Sequence, residues 1–154
     1  MDAGGLGWGR RALLNAIAGM HIGVIGGLIM LAWFALSAPL IGQPWWTTIN
    51  LLASHYYTAR TIRLGPGMAT ATGAALQIIA CGAVGAITGL LTPGGRLFGV
   101  LVAAAWYLLG YFLMWKRQTP LLAVYGSQPL LIIGYFLYGS ALGWHPRIAA
   151  KLRD

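Results

Sequence analysis

Residues 68–91 read MATATGAALQIIACGAVGAITGLL, and the reading of this stretch decides the fold. It contains no charged residue and no proline. Gly65-Pro66-Gly67 precedes it and Thr92-Pro93-Gly94-Gly95 follows it, so turn formers punctuate both ends. A helix that crosses a bilayer needs about 20 apolar residues, and this run supplies them. Its small residues are patterned as well. Gly85 and Gly89 stand four apart, Gly82 lies one turn earlier, and Ala74, Ala75, Ala83 and Ala86 are close by. Such spacing lets two backbones approach where lipid gives no hydrophobic drive for helix association.

Working outward, three further runs have the same character. Residues 12–38 form a first span, stopped by Pro39, with Gly19, Gly23 and Gly27 at four-residue spacing and Gly26 adjacent. Residues 97–115 form a third, ended by Lys116-Arg117. Residues 121–144 form a fourth, entered after Pro120 and closed by His145-Pro146. Pro129 falls inside that last run. It cannot donate to the helix ladder, which predicts a full helix kinked near Gly126-Ser127-Gln128-Pro129. Ser127 and Gln128 are available to resatisfy the backbone there.

The connection 39–67 is too long to be structureless in a compact domain. Within it, 47–57 reads as a short helix. Ile49, Leu52, Ala53 and Tyr56 fall at i, i+3, i+4 and i+7, while Asn50, Ser54 and Tyr57 lie away from that face. Trp45, Trp46, Tyr56 and Tyr57 are aromatics of the kind found at headgroup level, so the segment is expected to lie flat on the membrane surface. A loop packed on the bundle is the alternative. The expected fold is therefore all-α: an integral membrane bundle of four transmembrane helices plus one short interfacial helix, in a single domain over 1–154.

Composition points the same way. In 154 residues the hydrophobic share is 58%, the charged share 8% and the mean hydropathy +0.73. Soluble domains carry ~25% charged residues to keep their surfaces wet. Asp and Glu together number 2, and both are terminal, Asp2 and Asp154. No carboxylate proton relay, carboxylate metal site or paired-carboxylate acid/base can then sit inside the chain. Cys81 is the single cysteine, which excludes an intrachain disulfide and CxxC chemistry. The net charge is +8, but its Lys and Arg residues lie between apolar runs and at the ends. That distribution suits anionic phospholipid, not nucleic acid. Arg10-Arg11 before an apolar run loosely resembles a twin-arginine signal. The run to Ala38 is too long for a signal core of ~7–15 residues, and it reads as a span. With four spans, Arg10, Arg11, Arg96, Arg147, Lys151 and Arg153 share one side and outnumber Arg60, Arg63, Lys116 and Arg117 on the other. Both termini are therefore expected in the cytoplasm of a bacterial cell, in a multi-pass inner-membrane protein.

Few residues could carry chemistry. His21 lies inside the first span, and an ionisable residue there is a functional candidate by default. A haem held by two histidines needs a second buried histidine, whereas a chlorophyll-type pigment needs one axial ligand. Gly19 and Gly23 would leave room for a macrocycle. The plainer reading is a histidine hydrogen-bonded to a neighbouring helix or to Asn15. Asn15 and Gln77 are expected to bond between helices. The stripes Gly19, Gly23, Gly27 and Gly82, Gly85, Gly89 either pack the first two spans together or offer a docking face for another subunit or a pigment. Trp33, Trp45, Trp46, Tyr56, Tyr57, Tyr111, Trp115 and Tyr125 crowd one side, against Trp8, Phe98 and Trp144 on the other. An ordinary belt marks both interfaces. The excess suggests a protein contact, a thick belt being the alternative. No phosphate loop, nucleophile–base–acid set or metal-ligand cluster is present, so the chain reads as non-catalytic.

The glycine-rich first helix, Gly42-Gln43-Pro44-Trp45-Trp46-Thr47-Thr48, the Gly/Ala-rich second helix and Tyr135-Phe136-Leu137-Tyr138-Gly139 with Gly143 resemble small four-helix bacterial inner-membrane proteins. Those proteins have no agreed activity, so the resemblance carries over no functional residue. The helix count is also that of small multidrug transporters, which rely on a membrane-embedded glutamate that this chain lacks. The expected role is a non-catalytic accessory subunit of a larger membrane complex, most simply a respiratory or photosynthetic electron-transfer assembly. Trp45, Trp46, Tyr56 and Tyr57 would anchor partner subunits. Arg10, Arg11, Arg147, Lys151 and Arg153 would meet lipid or acidic partner surfaces. His21 would face a pigment, with no intrinsic cofactor. The alternative is a small homo-oligomeric channel or transporter for an anion or neutral solute. An enzyme acting on lipid or quinone through His21 or His55 is the weakest form.

Overall fold

The computed structural model describes residues 3–58, 60, 63–91, 95–115 and 120–151. Among them every regular element is helical. Helix α1 runs Ala3–Ser37, and a 3-10 turn, Ala38–Ile41, follows. Two short helices come next, α2 Thr47–Leu52 and α3 Ser54–Tyr57. Then come α4 Met68–Leu91 and α5 Arg96–Leu109, the latter continued by six residues of π-helix, Gly110–Trp115. The chain ends with α6 Pro120–Tyr125, α7 Gln128–Leu142 and α8 His145–Lys151.

Two helical stretches, Gly9–Ile41 and Met68–Leu91, are long and apolar enough to cross a membrane. The 24 residues of α4 extend ~36 Å at 1.5 Å per residue, against a hydrocarbon layer of ~30 Å. Helix α1 starts well before the residue 12 expected of it. No proline interrupts residues 3–11, and glycine costs a helix only ~1 kcal/mol per residue, so the helix runs on. The third expected span is an α-helix of 14 residues that widens into π-helix at Gly110.

The fourth is a break, not a kink. Ser127 is extended, with φ −70° and ψ 107°. The Gly126 amide donates to Leu122 O and closes α6; the Leu131 amide donates to Ser127 O and opens α7. Pro129 then sits in the first turn of α7, where a missing N–H costs nothing. Starting a new helix satisfies Pro129 better than bending an old one.

The long helices meet through glycine. A Cβ on Gly19 or Gly23 would collide with the carbonyls of Gly85 and Cys81 respectively, and one on Gly89 with Asn15 O. On Gly27 it would lie 2.9 Å from Cys81 Cβ. Helices α1 and α4 therefore touch backbone to backbone. Gly82 is one face over, with only the Val24 and Met20 side chains nearby, at 3.2 and 3.8 Å. The adjoining face of α1 receives α7. Gly26 makes room for the Tyr138 ring, and Gly134 receives Phe34. Helix α5 packs chiefly on α7, at Gly99, Ala103 and Gly139. Met30, Phe34, Leu131, Tyr138 and Leu142 form the core between these helices.

The 47–57 segment is not laid flat on a surface. Thr48, Ile49, Asn50, Leu51, Ala53 and Ser54 are buried against α4, α1 and α6, while Tyr56 is 63% exposed. Gly73 lets the Ile49 carbonyl press against α4. The reason is Asn50, which is fully buried because its amide has partners on three sides. Its Nδ2 donates to Leu64 O at 3.0 Å and Gly65 O at 3.4 Å, and its Oδ1 accepts from Thr70 Oγ1 at 2.6 Å. A satisfied amide can be buried at little cost.

Candidate functional site

A polar and aromatic cluster surrounds the break between α6 and α7. The chain restarts there with Pro129 in the first turn of α7, and the restart leaves Gln128 facing α5. Tyr107 O–H donates to Gln128 Oε1 at 2.9 Å, and Gln128 Nε2 reaches back to Ala123 O at 3.5 Å. The amide thus clasps both halves of the broken helix to α5. Tyr107 stacks on Tyr111 with centroids 6.3 Å apart and meets the Tyr135 edge at 5.4 Å. On the other side of α7, Trp33 Nε1 donates to Leu130 O at 2.9 Å. Elsewhere, Trp106 Nε1, Ser37 Oγ and Ser54 Oγ are buried without a hydrogen-bond partner among the described residues. These groups offer amide, hydroxyl and indole hydrogen bonds and aromatic faces. They supply neither a base nor a nucleophile activated by one.

His21 is exposed, on the side of α1 away from the glycine contact. Exposed Ile17, Ile25 and Leu28 flank it at i−4, i+4 and i+7. Its imidazole has no hydrogen-bond partner among the described residues. Gly19 and Gly23 do not leave room beside it, because both are buried against α4. The histidine that does bond to Asn15 is His145. It is 2% exposed, its Nε2 lies 3.2 Å from Asn15 O, and it ties the start of α8 to α1. Nothing in the sequence marks it, because a boundary position gives no sign of burial. Gln77 is buried as an interhelical residue, its Nε2 3.3 Å from both Met30 Sδ and Cys81 Sγ. Among the described residues no group of three His, Cys, Asp or Glu side chains could hold a metal ion.

The expected contact residues differ in exposure. Trp45 and Trp46 meet edge to face at 5.6 Å, the first exposed and the second half-buried. Tyr57 is half-buried and shares a 3.3 Å hydrogen bond with Thr72 on α4. Arg10, Arg11 and Arg147 are exposed. Lys151 closes α8, and Arg153 lies outside the described residues. Gly19, Gly23, Gly27, Gly85 and Gly89 meet at the α1/α4 contact, and Gly82 beside it.

Comparison with protein-family models, with curated proteins and with solved structures gives no match to this chain.

Proposed function

We propose that this chain is a non-catalytic subunit of a larger membrane assembly, embedded by four crossings and docked to its host through the outer face of α1. The crossings are α1, α4, α5 with its π-helical extension, and the broken pair α6–α7. The single observation that carries the reading is His21. In the α1/α4 pair it stands level with Gly85, about six residues and ~9 Å short of the end of α4. An ionisable side chain inside a span almost always faces protein or water. Here it faces outward among Ile17, Ile25 and Leu28. A second polypeptide over that face would bury the apolar rim and supply the imidazole with a partner.

The role needs no chemistry of its own, in keeping with carboxylates confined to the two ends. Exposed Arg10, Arg11 and Arg147 suit anionic headgroups or acidic partner surfaces. In an electron-transfer host, a pigment ligated by His21 would have to take its remaining walls from the partner, since Gly19 and Gly23 are occupied. A photo-crosslinking amino acid placed at Leu28 tests the docking face in native membranes. A discrete crosslinked partner is expected there, and none from Ile87 on the exposed side of α4.

A channel or transporter for an anion or neutral solute is the second reading. It is favoured by the α6/α7 break beside short helices α2 and α3, since discontinuous helices build many solute sites. Saturable flux into liposomes holding this chain alone would move the weight to it.

A further inference from the structure

The outer surface between α5 and α7 carries a groove of about 260 Å³, lined by Val100, Ala104 and Leu108 on one wall and Ile132, Tyr135 and Phe136 on the other. Its floor is closed, because α5 and α7 touch behind it: a Cβ on Gly139 would lie 2.6 Å from Ala103 Cβ. Its lip is open, since Ala104, Leu108, Ile132 and Phe136 are all exposed. We infer that this groove seats one acyl chain of an anionic glycerophospholipid, whose phosphate is held by Arg147. The inference rests on the membrane reading and is independent of any partner subunit.

Size selects the occupant. A helix with its side chains is ~10–12 Å across and could set only side-chain tips into a space of this volume, whereas an acyl chain can lie along it. Divided by the ~30 Å³ of a water-sized group, the groove holds a chain of roughly nine methylene-sized units. From Val100 to Leu108 it runs ~12 Å along α5, the length of a segment and not of a side chain. Charge selects the headgroup. Arg147 is exposed on α8. It follows the C-terminus of α7, at the end of the pair where a Cβ on Gly99 would lie 2.7 Å from Gly143 N. No carboxylate between residues 3 and 153 competes for it. An apolar slot below a cation matches a lipid with an anionic head and fits a zwitterionic one less well.

The test uses the full chain reconstituted in phosphatidylcholine vesicles with a trace of phosphatidylglycerol carrying a diazirine midway along one acyl chain. Labelled positions are mapped by mass spectrometry. Labelling at Ala104, Leu108, Ile132 and Phe136 is expected to exceed that at the exposed α4 residues Ile79 and Ile87 at least fivefold. Ala104→Phe, which fills the groove, should remove the excess, as should Leu108→Trp made separately. Arg147→Gln should reduce the preference over a phosphatidylcholine probe of the same chain. Labelling spread over all outward faces in proportion to exposure would overturn the acyl site. Equal labelling by both probes in the wild-type chain would overturn the headgroup assignment. Disulfide capture of Ala104→Cys by another polypeptide in native membranes would give the groove to a partner helix instead, and overturn the proposal. A chain that fails to float with the vesicles would overturn the membrane reading and this proposal with it, a result distinct from the others.

Discussion

The Tyr138 hydroxyl donates to the main-chain carbonyl of Cys81 at 2.7 Å, joining α7 to α4 past the edge of α1. The same tyrosine is among the largest side chains buried completely, and Gly26 is the residue that admits its ring. One hydrogen bond and one missing Cβ therefore help seat α7 against α4 and α1. Tyr138→Phe keeps the ring and loses the bond, at an expected cost of about 0.6–1.5 kcal/mol. Gly26→Ala would set a methyl group 2.9 Å from the ring and is expected to cost more than Tyr138→Phe. Reversible unfolding in mixed detergent measures both. Equal stability of all three proteins would show that the contact positions nothing.

The α1/α4 contact predicts a sharp difference between two glycines one turn apart. A methyl group at Gly85 would strike Gly19 O, and neither backbone can yield without parting the helices. Gly85→Ala should destabilise by about 1–3 kcal/mol despite alanine's better helix propensity. Gly82→Ala meets only the Val24 and Met20 side chains, at 3.2 and 3.8 Å, and should cost less than Gly85→Ala. The same unfolding assay reads both, and a reversed order would contradict the geometry.

Tyr107 and Gln128 form the polar clasp at the helix break. Tyr107→Phe should cost about 1 kcal/mol and raise amide exchange in the first turn of α7. Gln128→Leu should cost a similar amount. The double variant should be less damaged than the sum, by about 0.5–1 kcal/mol of coupling. Strict additivity would mean that the 2.9 Å contact carries no energy.

Asn50 makes a separate prediction about the 47–57 segment. Asn50→Leu keeps the bulk but removes the donor to Leu64 O and the acceptor of the Thr70 O–H. A loss of about 1–3 kcal/mol is expected, with faster proteolysis in 39–67. Unchanged protection of that connection would show that its burial does not depend on the amide.

How much of this was legible in the sequence depends on what each residue had to report. The bounds of α4 fall where Gly65-Pro66-Gly67 and Thr92-Pro93-Gly94-Gly95 put them, since turn chemistry is local. The facing of side chains was much harder to read. Lipid and protein interior are both apolar, so periodicity separates inside from outside poorly in such helices. The sequence puts His21 in an apolar run, but its outward direction follows only from the glycine contact on the opposite side. Asn50 reads as the polar face of a surface helix because its three partners lie 14 to 20 residues away. Pro129 announced a disruption without distinguishing a bend from a restart. That choice was made by Gly126, Ser127 and the reach of Gln128 toward Tyr107.

The most direct measurement is a gentle-detergent purification of the tagged chain from its native membrane, beside His21→Leu. Copurifying proteins are identified by mass spectrometry, and an absorption spectrum is taken on the same sample. The account predicts a stoichiometric set of larger subunits with the parent chain. It predicts at least a fivefold loss of that set with His21→Leu, although leucine is the easier residue to expose to lipid. Pigment or haem bands in the parent sample would identify the host as an electron-transfer complex. A particle containing only this chain, unchanged by His21→Leu, would contradict the account.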